Sequence, residues 1–495
     1  MLSKLNVMFV LLLGGLLFMG CTRSKPMDRE EVLNMAKTGE EREQKEIEFD
    51  EVSVHDPSVV KVEDTYYIFG SHLASAKSQD LMNFEQITRS VAGNKLFPDA
   101  KNTLEEALTW AQTDTFWAAD VEQLDDGQFY FYYNACRGDS PLSAMGVAKS
   151  DNIEGPYEDL GIFLKSGMNG ESNDGSPYNA NHHPNAIDPH TFYDHTGKLW
   201  MVYGSYSGGI FILEMDSETG FPVKGQGYGQ KLLGDYHARI EGPYILYSPD
   251  TEYYYLFLSY GGLDANGGYN IRVARSKTPD GPYLDSQGQD MIDAKGVEGQ
   301  IFYDPAYAPY GHKLLGNFEF EHIQGEVGQK SHGYISPGHN SAYYEEEEDK
   351  YFILFHSRFP RKGEAHYIRV HQFFMNDEGW PVIAPYRYTG ETLQALEEND
   401  IVGAYKLVNH GRDISADVKE SHLVGLLEDG RLTGDLEGKW TLENDAKITI
   451  TLGDVEYTGV ALKQYDEHNK INTMTLTVGA NNGESLWGSQ IYLVE

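Results

Sequence analysis

Residues 188–205 read DPHTFYDHTGKLWMVYGS: an acid, a short strand, a tight turn, and a second strand rich in aromatic residues. Four other stretches have the same shape. They are 55–72 (HDPSVVKVEDTYYIFGSH), 119–134 (ADVEQLDDGQFYFYYN), 241–259 (EGPYILYSPDTEYYYLFLS) and 339–357 (HNSAYYEEEEDKYFILFHS). A period of several tens of residues built from short strands marks a radial or solenoidal repeat. In a β-propeller, equivalent positions of every blade converge on one axis. Five repeats therefore predict a five-bladed propeller in which Asp56, Asp120, Asp188, Glu241 and His339 meet around one channel mouth. An acid at a strand start is ordinarily a turn or capping residue. A turn, however, does not require an ionisable group in every repeat.

Two further phrases share a pattern: GVAKSDNIEGPYED (146–159) and RVARSKTPDGPYLD (272–285), with a shorter relative, SAKSQDLMNFEQ, at 75–86. They predict one strand and turn used in different blades. The repeats cover residues 51–392. From about residue 400 to 495 the texture changes to short alternating runs (AYKLV, LVGLL, KITITL, YTGVAL, TMTLTV, QIYLV), which predict a small antiparallel β-barrel or sandwich. The fold class is thus all-β, with an accessory domain that carries no cluster of acids or histidines.

The chain has 495 residues, a net charge of −37 and 34 tyrosines. Such a surface repels nucleic acid and other polyanions, while a neutral polysaccharide is indifferent to it. Two cysteines imply no disulfide framework. Cys136, beside a strand, reads as an inert buried thiol. Residues 1–21 carry Lys4 and an apolar run from Val7 to Met19, then Gly20 and Cys21. This is an export-signal pattern, too short for a membrane span, and its end resembles the lipobox of bacterial lipoproteins. The expectation is an exported protein, either held at the cell surface by lipid on Cys21 or secreted after cleavage nearby. That lipid is the only membrane contact expected. Residues 22–50 are charged and read as a tether containing at most a short helix. The run Glu345 to Asp349 reads as a solvated hairpin tip, and His182 and His183 as loop surface. Oligomeric state is not legible.

Converging carboxyls suit hydrolysis of a glycosidic bond. One must stay protonated to protonate the leaving oxygen, and another must be ionised to activate water. Crowding of like charges raises one pKa and so supplies the acid. Asp56, Asp188 and Glu241 fit by type and position.

The phrases VHDPSVV, FWAADV, NAIDPHTFYDHTGKLWMVYGSYSGGI, RIEGPYI and SPGHNSAYY resemble family-43 glycoside hydrolases, in particular the endo-α-1,5-L-arabinanases, over residues 50 to 390. The resemblance implies a five-bladed propeller that inverts configuration. Asp56 would be the general base, Glu241 the general acid, and Asp188 the group that raises and orients the acid. It implies sugar contacts by Trp117, Asn185, Ala186, Ile187, Ser205, Tyr206 and Ser207, with arabinan or its oligosaccharides as substrate. An exo-acting arabinofuranosidase or xylosidase on the same propeller, and a non-catalytic glycan-binding lipoprotein, are the alternatives. His339 alone would read as an ordinary strand histidine, since calcium prefers oxygen ligands. The resemblance instead implies that it holds one calcium ion in the channel. Ala119 stands where the family has Pro before Asp120.

Overall fold

The computed structural model describes residues 25–38, 47–167, 175–328, 330–443 and 446–494. Cys21 and the expected export signal lie outside the described residues.

Five antiparallel sheets form the propeller. The first blade is Ser58–Val62, Thr65–Phe69, Ser75–Ser78 and Glu85–Thr88, and the second is Asp120–Gln123, Phe129–Cys136, Ser143–Ser150 and Glu158–Ser166. The third is His190–Tyr193, Leu199–Tyr203, Ile210–Glu214 and Gln230–Leu233; the fourth is Ile240–Ser248, Tyr253–Tyr260, Asn270–Ser276 and His312–Leu315. The fifth is His332–Glu345, Lys350–Arg358, Tyr367–Met375 and Pro381–Ile383. Second strands are rich in apolar and aromatic residues because neighbouring blades cover both faces. Every residue of Phe129–Cys136 is buried. Blades one and five meet through side chains, with Val54, Val59 and Ile68 packed with Leu354, Ile368 and Val370.

The VAKS and VARS phrases are the third strands of blades two and four. Each is followed by a tyrosine that bonds back to the carbonyl four residues earlier, Tyr157 to Ile153 at 2.8 Å and Tyr283 to Pro279 at 2.9 Å.

The accessory domain is a closed barrel of eight strands: Gly403–Asn409, His422–Leu426, Arg431–Gly434, Gly438–Leu442, Lys447–Leu452, Val455–Asp466, Ile471–Gly479 and Ser485–Gln490. The run QIYLV is not one barrel strand. Gln490 ends the strand that closes the barrel, and Tyr492–Leu493 pairs in parallel with Lys37–Thr38. The expectation of a tether over 22–50 therefore fails for 25–38. Helix Arg29–Leu33 has a capping box, and its Val32 packs with Ala404, Leu423 and Ile491 of the barrel. A few apolar side chains (Met27, Val32, Leu33, Met35 and Ala36) among charged neighbours are too weak a pattern to reveal this docking.

Barrel and propeller share a core. Phe318, Tyr334, Trp380 and Tyr386 of the propeller side pack with Val408 and Trp487 of the barrel. The Trp487 ring lies edge-on to Phe318 at 5.0 Å. Lys419–Glu420, from a barrel loop, pairs in parallel with Phe318–Phe320. At the hairpin tip Glu345 is not solvated. It is buried and accepts hydrogen bonds from Lys61 Nζ at 2.6 Å and Tyr66 Oη at 2.5 Å.

Candidate active site

The entry of each inner strand sets the site. Asp56, Asp188 and His339 have φ of +58°, +57° and +46°, a region disfavoured for non-glycine residues. In blade four the matching position is Gly242, at φ +57°. The register agrees: Glu241 pairs with Ser259 and Gly338 with His356, and in each case a bulge follows before pairing resumes at Tyr244 and Ser341. Glu241 therefore stands one residue ahead of the repeat position, on the flank of the bulge. Bulges re-aim side chains beside active sites. Here the left-handed backbone at Asp56 and Asp188 and the bulge after Glu241 turn the three acids from three blades into one hub.

Gly242 N–H donates to Asp188 Oδ2 at 3.3 Å, which fixes blade three against blade four beside the acid. Both oxygens of Glu241 accept hydroxyls: Oε2 from Ser205 at 2.7 Å and Oε1 from Tyr269 at 2.8 Å. Asp56 Oδ2 accepts from Ser71 Oγ. Its Oδ1 faces His55 Nδ1 at 2.7 Å and His339 Nδ1 at 3.1 Å.

Burial alone would raise Asp56, but the charges and hydrogen bonds of His339 and His55 outweigh it and hold the carboxyl well below its usual range. Burial raises Asp188 and Glu241. His339 opposes the rise, while neighbouring carboxylates add to it. These two acids titrate as a pair that keeps a proton to higher pH than either alone. Burial would lower His339, yet Asp56 and Asp188 lift it to about 9. The ring of acids thus demands one positive charge at its centre.

Asp120 does not join the catalytic hub. It is buried, and its two oxygens accept Ser58 Oγ at 2.5 Å and Thr191 N–H at 2.6 Å, tying blades one, two and three together. Lacking the left-handed turn of its counterparts, it is aimed between the inner strands. Glu122, two residues on, is pushed up to about 8 by burial and by Asp120.

Among the expected sugar contacts, Trp117 is half-buried, and its backbone N–H donates to Asn134 O at 3.1 Å. Ser205 is spent on Glu241. Tyr206 is half-buried and donates to Gly261 O at 2.8 Å, while Ser207 is buried and its carbonyl accepts His237 N–H at 2.9 Å. Asn185, Ala186 and Ile187 are buried with their polar groups turned inward. Asn185 Oδ1 accepts Ser143 Oγ at 2.5 Å, Ala186 N–H donates to the same hydroxyl at 2.9 Å, and Ile187 O accepts Gly204 N–H at 2.9 Å. These bonds tie the approach to Asp188 to blade two and to the turn at Gly204. Cys136, beside Asn185, is buried and pushed up to about 12 by that burial, as an inert thiol should be. The His182–His183 backbone packs on Gly208, where a Cβ would meet it at 2.2 Å.

Two groups could hold a cation. His55 Nδ1, Asp56 Oδ1 and His356 Nδ1 lie within 4.8 Å of one another. The His55 and His356 rings are stacked at 3.9 Å and 25°, so their in-plane lone pairs run side by side rather than converge, and His356 Nδ1 accepts Asp56 N–H at 3.3 Å. That set encloses the carboxylate and does not fit a metal. His339 differs. Its Nδ1 faces Asp56, which leaves Nε2 without a hydrogen-bond partner among the described residues.

Repeat reasoning missed Ser71, Ser205, Ser259 and Tyr269 as supports. Four of the five quoted phrases end in Ser or Asn and the other carries Ser71 one residue before its end, and that was the available signal. Ser71 and Ser205 serve carboxylates, and Ser259 Oγ accepts His339 N–H at 2.7 Å.

Residues 50–381 match glycosyl hydrolases family 43, and residues 385–488 match its C-terminal lipocalin-like domain. A Bacillus subtilis (strain 168) protein named extracellular endo-α-(1→5)-L-arabinanase 2 is 59% identical over 443 residues, covering 89% of this chain and 94% of the relative. The Thermotoga petrophila extracellular endo-α-(1→5)-L-arabinanase is 49% identical over 447 residues, covering 88% and 93%. The crystal structure of a family 43 glycoside hydrolase from Bacillus licheniformis superposes with a TM-score of 0.87 at 57% identity, covering 90% of this chain and 99% of that one. With the family model matched over residues 50–381 and relatives of 59% and 49% identity covered over most of their length, the chain belongs to glycosyl hydrolases family 43.

Proposed function

We propose that the protein is an extracellular, endo-acting, inverting hydrolase of the internal α-1,5-L-arabinofuranosidic bonds of arabinan. The observation that carries this is the meeting of Asp56, Asp188 and Glu241 from three blades, in a chain whose relatives at 59% and 49% identity are named for that activity. Asp56, held ionised, takes a proton from the attacking water. Glu241 gives its proton to the departing glycosidic oxygen; with Ser205 and Tyr269 at its two oxygens, a hydroxyl rotation frees one for that purpose. Asp188 keeps the shared proton on the pair at neutral pH and aligns Glu241 through the Gly242 N–H. Inversion needs the two carboxyls about 6.5–9.5 Å apart, leaving room for water. Digestion of linear arabinan tests the reading. Early release of oligosaccharides is expected, and arabinose as the sole early product would replace it with the exo-acting alternative.

His339 is proposed to hold one calcium ion through Nε2, with water oxygens completing its shell. Such an ion would take over the positive charge now carried by the imidazolium and so compensate the carboxylates. Asn340 Oδ1 and Thr191 Oγ1, buried on the inner strands without protein partners, are of the kind that ordered water satisfies. Chelation should lower both activity and melting temperature, with calcium restoring both. An unchanged melting temperature after chelation would remove the ion. Lipidation of Cys21 is proposed as the means of surface attachment, and mass spectrometry of the mature N-terminus tests it.

A further inference from the structure

The connection between Ser276 and His312 in blade four is long, and it returns over the site face. It is pinned twice. Near one end Gly234 N–H donates to Ala294 O at 3.1 Å and Gly296 N–H to Asp235 O at 3.0 Å. Near the other, Asp304 accepts Arg239 through Nε at 3.0 Å and also through Nη2. Between the pins Ile301, Phe302 and Tyr303 are 68%, 48% and 44% exposed. Phe302 has φ +59°, strained for a bulky residue, so the pinned loop holds its ring in place.

That ring is close to the chemistry. It lies edge-on to Tyr206, with centroids 5.6 Å apart and planes at 70°, and the Arg239 guanidinium is 5.9 Å from its centroid. Tyr206 follows Ser205, which bonds Glu241, and Arg239 is two residues before Glu241. Leu263, 40% exposed, stands in the adjoining loop, where a Cβ on Gly262 would sit 3.0 Å from Arg239 Nη1. Four of the ten exposed large apolar side chains among the described residues thus border one side of the hub. Contiguous exposed apolar surface marks a binding site.

We propose that Phe302, backed by Tyr206, is the stacking platform for an arabinofuranosyl residue on the leaving-group side of the scissile bond. This rests on the arabinan reading. Glu241 must face the glycosidic oxygen, so the sugars that depart with that oxygen lie on the blade-four side, while Asp56 and the attacking water lie toward blade one. A furanose presents C–H faces to an aromatic ring and carries no charge, which suits a rim whose one guanidinium is already committed to Asp304.

The test uses arabino-oligosaccharides labelled at the reducing end, with wild type, Phe302→Ala, Phe302→Leu and Phe302→Trp. Loss of one stacking contact should lower kcat/KM on the hexaose about five- to tenfold in the Ala and Leu variants. The hexaose-to-triose ratio should fall with it, and the labelled fragment should become shorter. The Trp variant should restore both. The Leu variant keeps side-chain bulk on the strained backbone without a ring, so it separates stacking from loop collapse. Unchanged ratios and cleavage positions in the Leu and Ala variants overturn the platform, as does lengthening of the labelled fragment. Failure of the wild type to cut arabinan would instead overturn the activity reading.

Discussion

Tyr269 Oη donates to Glu241 Oε1 at 2.8 Å, and the back of the Tyr269 ring lies against Gly338, where a Cβ would sit 2.1 Å from the ring. The glycine at one blade's bulge therefore sets the distance at which another blade's phenol meets the acid.

Gly338→Ala should push the Tyr269 ring off Glu241. A fall in kcat of about tenfold or more is expected, with KM on arabinan little changed, because the contact orients a proton donor. Tyr269→Phe should give a similar fall with an unchanged melting temperature. If Tyr269→Phe turns over normally, the phenol is not an orienting group.

Glu241→Gln should reduce hydrolysis of arabinan at least about a hundredfold, the usual range for a lost general acid, while binding to arabinan persists. A variant that loses binding in proportion would place Glu241 in substrate affinity rather than in proton transfer.

The five repeat phrases made the propeller and its ring of ionisable residues legible, and the alternating runs beyond residue 400 made a small barrel or sandwich legible, because strand patterns punctuated by turns leave few other folds. They did not disclose that Glu241 stands one residue ahead of the repeat position. Only the bulge at Gly242 and the pairing of Gly338 with His356 reveal that offset. Asp120 looked equivalent and is not, because without the left-handed turn its carboxylate bonds to Ser58 and Thr191. The bonds of Asn185 and Ala186 to Ser143 were not legible, since sequence order does not say which way a polar group turns. Phe302 lies in an insertion with no repeat partner, so periodicity could not point to it.

The shared core predicts that the barrel braces the propeller. Trp487→Ala should cost about 3–5 kcal/mol, as for other buried aromatics, and lower the melting of both domains together. Truncation near residue 395 should leave Phe318 and Trp380 uncovered and the product insoluble. Independent melting of a stable propeller fragment would show the barrel to be an appendage.

Burial pushes His312, His371 and His410 down to about 3 in the folded protein, with nearby arginines and lysines adding to it. An unfolded imidazole takes its proton near 6.5. Between those values the unfolded chain binds more protons, so stability is complete above about 6.5 and declines as pH falls toward 3. Neither ring nitrogen of His410 has a hydrogen-bond partner among the described residues, and its ring stands edge-on to Trp487. His410→Phe should therefore flatten part of the acid decline in melting temperature. The same decline in variant and wild type would show that His410 is not among its sources.

The assignment of acid and base is tested most directly by changing the leaving group. Aryl glycosides of an arabino-oligosaccharide, one with a good leaving group and one with a poor one, are given to Glu241→Gln and Asp56→Asn. A good leaving group departs without a proton, so Glu241→Gln should recover most of its lost rate on that substrate and Asp56→Asn should recover none. Equal losses on both substrates in both variants would contradict the division of labour between blade one and blade four.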